Sequence, residues 1–233
     1  MSVIYKHITV VIGIVISCAS LYLAVPRFIS SLYALYPNTA YDQNETQIPL
    51  NILENCITDL TDAISWQRDS SYFKKLGVFK LKNAEIISTK LQVFREPILR
   101  EAQKAFVDGL TISPVDPIAW YQLAYVDSLL NESNDKIIND LRLSYYAGRV
   151  EPDFTMDRIK LNYRYYYNLP EDMITIFNQQ INFAWQFNPK ELIQFYSNNP
   201  EFKKLTDNAI NMSPDESIKF HQQIDRYIKT HKK

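Results

Sequence analysis

The chain is poor in glycine, with 4 in 233 residues. None of the four sits in a phosphate-cradling loop of the G-x-x-x-x-G-K-[ST] or G-x-G-x-x-G kind. So few glycines also argue against hairpin-rich β folds, whose tight turns need them. Cysteine is limited to 2, Cys18 inside an apolar run and Cys56 at an apolar position of a predicted helix. That excludes a disulfide framework and argues against structural zinc. The 3 histidines, His7, His221 and His231, lie near the chain ends. No Ser/His/Asp or Cys/His set can be drawn from them, so no catalytic residue, metal or cofactor is expected. An excess of either charge is lacking too: Lys and Arg number 25 against 26 Asp and Glu. This balance gives no electrostatic case for nucleic acid or for an anionic membrane surface.

What is present begins with Ile8 to Val25, an uncharged run long enough as a helix to cover about 27 Å, near the hydrocarbon thickness of a bilayer. Tyr5 and Tyr22 are candidates for its interfaces. Three readings compete. An uncleaved single-pass anchor suits the length. A cleaved signal peptide would have an unusually long apolar core and no clean A-x-A site before Pro26. A lipoprotein signal is suggested by Val15-Ile16-Ser17-Cys18, yet the residues from Ala19 to Val25 stay largely aliphatic or aromatic. Length favours the anchor. Lys6 before the run and Arg27 after it bias orientation only slightly. A short N-terminal tail ahead of a large domain suits an N-in signal anchor, with the bulk of the chain extracytoplasmic.

The rest reads as helices. Residues 1–36 form the anchor, in which Phe28 to Tyr36 continue the helix, and 37–48 a polar linker. Leu53, Cys56, Leu60 and Ile64 recur at helical spacing and predict a helix near 49–67. Another spans 71–93, loosened near Gly77. Further helices cover 97–112, 117–130 with Asp116 as N-cap and Pro117 at N1, and 135–147 closed by Gly148. Asn188-Pro189-Lys190-Glu191 and Ser213-Pro214-Asp215-Glu216 have capping-box spacing, and Asn199-Pro200 starts another helix. The fold class is all-α: roughly ten helices, no strand.

Ala102, Phe106, Gly109 and Pro114 give A-x3-F-x2-G-x4-P, and Trp120 and Leu123 give W-x2-L six residues later. This resembles the junction between two tetratricopeptide (TPR) repeats, over residues 97–147 at most. Asp127 stands where the repeat wants an aromatic residue, and Pro152 follows Pro114 by 38 residues rather than about 34. The resemblance implies a TPR-like domain over 49–233 that binds protein partners. Its inner face would present Tyr121, Gln122, Tyr125, Asp140 and Arg142. A second resemblance is to the VpsP-like anchored proteins of bacterial exopolysaccharide gene clusters. It rests on S-P-x-D-P-x-A-W-x-x-L-A-Y at 113–125, L-x-L-S-Y at 141–145, Glu151-Pro152 and Ala184-Trp185. It implies a role in polysaccharide assembly or export.

Other clusters have plainer readings. Tyr163, Tyr165, Tyr166 and Tyr167, with Arg158, Lys160 and Arg164, would stack sugars or bases, but inward-packed tyrosines with solvated cations are favoured. Trp66, Trp120 and Trp185 read as core. Asp59/Asp62 and Glu171/Asp172 are acid pairs of a common kind. The N-x-[ST] sequons at Asn44, Asn131 and Asn211 matter only in a eukaryotic secretory setting. The expectation is a membrane-anchored interaction or assembly factor, not an enzyme, with protein partners near the membrane, no nucleic acid and a glycan as a further partner class. An enzyme or enzyme accessory of envelope polysaccharide, and a periplasmic lipoprotein or soluble binding module, remain the alternatives.

Overall fold

A computed structural model describes residues 2–42, 48–88, 95–210 and 214–231. Among these residues there are eleven α-helices and no strand. The chain divides into two compact units, Met1–Pro114 and Val115–Lys233. The TPR-like pattern straddles that division, with Ala102 to Pro114 in unit 1 and Trp120 to Leu123 in unit 2.

Unit 1 holds α1 (Ser2–Asp42), α2 (Leu50–Trp66), α3 (Ser70–Ser88) and α4 (Arg95–Ile112). The first helix does not stop at the expected linker: it passes through Pro26 and Pro37 and ends at Asp42. A proline inside a helix costs about 3 kcal/mol. Packing offsets that cost here. Ala34 and Pro37 are buried, Ser30 Oγ donates to the Ala63 carbonyl of α2 at 2.8 Å, and Lys75 Nζ donates to Asn38 Oδ1 at 2.6 Å. The N-terminal half of α1 buries nothing: every described side chain from His7 to Val25 is exposed.

The next three helices pack in succession, α2 on α1, α3 on α2 and α4 on α3. Leu53, Cys56 and Leu60 form the inward stripe of α2 as their spacing predicts, continued by Ala63, while the predicted Ile64 is only partly buried. Trp66, the last residue of that helix, is an exception: it is 47% exposed, so the core role expected for it is overturned. Helix α3 is unbroken at Gly77. A Cβ there would lie 2.7 Å from the Phe106 ring of α4, so glycine at this position admits an aromatic neighbour rather than loosening the helix. Gly109 does the same one end along, where a Cβ would meet the Phe73 Cβ at 3.0 Å. These two contacts and the Lys80–Glu101 ion pair at 2.6 Å fix α3 and α4 as antiparallel. The predicted continuation of α3 to residue 93 lies outside the described residues.

Unit 2 holds α5 (Pro117–Leu129), α6 (Asn134–Ala147), α7 (Thr155–Arg164), α8 (Glu171–Phe187), α9 (Pro189–Asn198), α10 (Pro200–Ile210) and α11 (Pro214–His231). Two 3₁₀ turns, Pro152–Phe154 and Tyr166–Asn168, flank α7. Asp116 caps α5 as predicted, accepting from the Ile118 and Ala119 amides at 3.0 Å each. The α5–α6 turn places Asn131 at φ 55°, a left-handed conformation that asparagine tolerates better than most residues. Gly148 ends α6 in an extended conformation, and a Cβ on it would press on Pro117 at 2.8 Å. Asn188 does not cap α9 with its side chain. Its Nδ2 instead donates to the Pro152 carbonyl at 2.7 Å. Ser213 of the second predicted capping box, and the sequons at Asn44 and Asn211, lie outside the described residues. The core of this unit stacks Phe177, Phe202, Phe220 and Ile181 with Met156, Ile159 and Leu192.

Candidate interaction surfaces

The five residues expected on a TPR-like inner face all belong to the α5–α6 hairpin, but they do not form one exposed surface. Tyr121 is buried, its ring 5.8 Å from that of Phe154 and stacked at 6.4 Å on Tyr125. Burial drives its phenol well above the ordinary range. Gln122 and Tyr125 are partly exposed. Arg142 faces α8, where its Nε and Nη2 donate to the two carboxylate oxygens of Asp172 at 2.8 and 3.2 Å. Those donated bonds hold the Asp172 carboxyl below the usual carboxylate range. Asp172 is therefore half of a surface ion pair with Arg142.

Asp140 is buried beside Asp127, a fully buried carboxylate that Lys136 contacts. Burial, then hydrogen bonding and repulsion from Asp127, push the Asp140 carboxyl up to about 7, and Lys136 only partly opposes this. Two acids and one ammonium thus share the base of the hairpin turn. The sequence shows Asp127 at the position where the repeat wants an aromatic residue, without revealing this partner set.

The aromatic–basic cluster at 158–167 splits in the structure. Tyr163 and Tyr166 pack inward as favoured: Tyr163 meets Phe195 and Phe202 edge-on at 5.7 and 5.4 Å, and Tyr166 meets Phe177 at 5.6 Å. Tyr167 does not, being 88% exposed. Lys160 is paired with Glu191 at 2.6 Å, and Arg164 is exposed. Arg158, expected in solvent, has no exposed surface. Its Nη1 donates to the Gly148 carbonyl at 2.8 Å and its Nη2 to the Ser144 carbonyl at 3.1 Å, while the guanidinium lies over the Tyr145 ring. A cation on the last carbonyls of α6 is where the helix dipole favours one. Thr155, Arg158 and Asn162 make a polar stripe on α7 that is buried in the fold.

Tyr163, Tyr166 and Tyr167 line an open groove of about 360 Å³ with Pro200, Glu201, Lys204 and Leu205 of α10. It combines one nearly free aromatic face with a carboxylate and an ammonium. A second groove of about 410 Å³ lies in unit 1, between α1 and α2, bounded by Ile29, Leu32, Tyr33, Tyr36 and Asp59. Neither is lined by Asp127 or Asp140. Among the described residues no group of His, Cys, Asp or Glu is arranged to hold a metal ion.

No known protein family matches this chain, and no curated protein matches it. Among solved structures, a thermophilic TPR protein from Thermus thermophilus is similar over 72% of this chain and 97% of its own, at 14% identity and a TM-score of 0.37.

Proposed function

We propose that this chain is a membrane-anchored, TPR-like interaction factor of the cell envelope, held by residues 8–25 with its N-terminus in the cytoplasm and its helical body on the other side. The observation that carries the reading is α1. One half is uncharged from Ile8 to Val25 and wholly exposed where described, and the other half is packed into unit 1. An apolar helix surface of that length is stable only when something other than water covers it. The body offers helical hairpins with mixed-charge surfaces, a composition suited to protein partners. The resemblance to VpsP-like proteins makes polysaccharide assembly or export the process such a factor would assist.

Crosslinking on intact membranes followed by capture of the chain tests this directly. The expected result is a protein partner that is lost when residues 8–25 are replaced by a soluble leader. Recovery of glycan with no protein would overturn it. Mass spectrometry of the mature N-terminus separates anchor from lipoprotein: an intact Met1 or Ser2 supports the anchor, and an acylated Cys18 replaces it with the lipoprotein.

One observation favours a second reading, a saccharide partner. The groove at Tyr167 pairs an exposed aromatic face with Glu201 and Lys204, the combination of stacking surface and hydrogen-bonding rim that sugars require. Substituting Tyr167 by Ala should abolish retention on a polysaccharide column if that reading holds, and leave protein crosslinks untouched.

A further inference from the structure

We propose that the end of unit 1 nearest the apolar run is a lipid-interface collar, in which Trp66 and Phe28, flanked by Arg27 and Arg68, seat in the headgroup layer of the bilayer that α1 crosses. The inference rests on the membrane reading above and deepens it by naming the surface that meets the lipid.

The placement of these rings follows from depth along two antiparallel helices. Ser30 of α1 lies opposite Ala63 of α2, joined by a 2.8 Å hydrogen bond. Tyr33 and Tyr36 lie opposite Asp59, so the two helices run in opposite senses. Val25, the last residue of the uncharged run, precedes Ser30 by five positions, or about 7 Å of helix. Trp66 follows Ala63 by three positions and so comes back about 4–5 Å in the same direction. Trp66 therefore stands about 3 Å beyond the end of the run, and Phe28 about 4–5 Å beyond it. The interfacial layer on each side of the hydrocarbon is about 5–7 Å deep. Both rings fall inside it.

Exposure agrees with that placement. Trp66 is 47% exposed at the end of a helix whose other apolar stripe residues are buried, and Phe28 is 63% exposed. Ile112, 43% exposed, ends α4 on the same side, because Gly109 of α4 packs beside Ser70 and Phe73 at the start of α3. An indole, with an apolar face and an N–H at its edge, is what the membrane interface selects, and the Phe28 ring adds apolar contact beside it. Arg27 and Arg68 are exposed and able to reach phosphates from this depth. The described carboxylates at this end include Asp69, which accepts from the Ser71 amide and hydroxyl, half-buried Asp108 and exposed Asp62. Arg27 and Arg68 therefore leave no positive excess, so the seat relies on apolar contact rather than on net charge, and anionic lipid should not be needed.

The test uses the full chain in phosphatidylcholine vesicles whose acyl chains carry bromine either near the glycerol end or near the chain terminus. The difference in emission between the native chain and a Trp66→Phe variant of unchanged circular dichroism isolates Trp66 from Trp120 and Trp185. Its emission should fall by on the order of half with the shallow bromines and much less with the deep ones. Adding anionic lipid should leave that ratio unchanged. A chain that floats with the vesicles, resists alkaline extraction and shows no bromine effect on the Trp66 component overturns the collar alone. A chain that fails to float overturns the membrane reading and the collar with it.

Discussion

The two units solve the same packing problem by different means. Among the described residues of unit 1 the polar residue buried as a whole is Ser30, and the core is closed largely by steric fit: Gly77 against Phe106, Gly109 against Phe73. Unit 2 buries Asp127, Asp140, Ser144, Thr155, Arg158, Asn162, Gln180 and Thr206. Its helices are joined by directional bonds, such as Ser144 Oγ to the Pro117 carbonyl at 2.7 Å and Gln180 Nε2 to the Arg149 carbonyl at 2.8 Å. An apolar core tolerates volume-conserving change and fails on added or missing volume. A hydrogen-bonded core tolerates little polar editing, and it brings pH into the stability of the fold.

The sharpest way to break the contrast is Arg158→Ala. It removes a buried cation and leaves the Ser144 and Gly148 carbonyls short of a donor, for a loss of about 3 kcal/mol. Urea unfolding of the full chain in detergent should show the loss in the transition that carries unit 2. An unchanged midpoint would mean that the guanidinium stabilises nothing. Next is Gly77→Ala, which forces a methyl group against the Phe106 ring and should cost about 2 kcal/mol. A companion change, Phe106→Leu, should recover part of it, since the clash is steric.

Asp140 gives a pH test that unit 1 should not share. Its folded value, about 7, stands above the ordinary 3.8. The folded state therefore keeps a proton that the unfolded chain releases, and its stabilising contribution is present at low pH and lost as pH rises toward and through 7. Unit 2 should melt lower at pH 8 than at pH 5. Asp140→Asn should flatten that slope and raise the midpoint at pH 8; an unaltered slope would remove Asp140 as its source. The smallest effect is expected for Arg142→Ala. That pair with Asp172 is exposed enough for solvent to screen it, so stability should change by about 0.5 kcal/mol or less.

Where the sequence was legible, local chemistry decided the outcome. Asp116-Pro117 announces α5, the Leu53/Cys56/Leu60 spacing announces α2, and both helices form where expected. Where it was not, a distant residue decided. Pro37 reads as a helix breaker until the packing of Ala34 and Ser30 on α2 is known. Arg158 belongs to a polar stripe that only the position of α6 makes an interior one. Trp66 fits the apolar period of α2 but comes at its last residue, where no helix covers it. The inner-face residues fared unevenly for the same reason: Tyr121 and Asp140 have the right period for a hairpin, yet period does not say which side another helix will occupy.

The unbroken helix from the apolar run to Asp42 has a consequence for how such a body would find its partners. A flexible tether lets a domain roam a hemisphere set by its linker; a stiff helix that enters the body without a joint does not. Unit 1 would move only with the anchor, as a mast moves with its deck. On the membrane reading proposed above, its search for a partner would be lateral diffusion near the bilayer, where even a scarce membrane protein would be met at a high effective concentration. Weak surfaces, of the size that these short helices offer, are then enough.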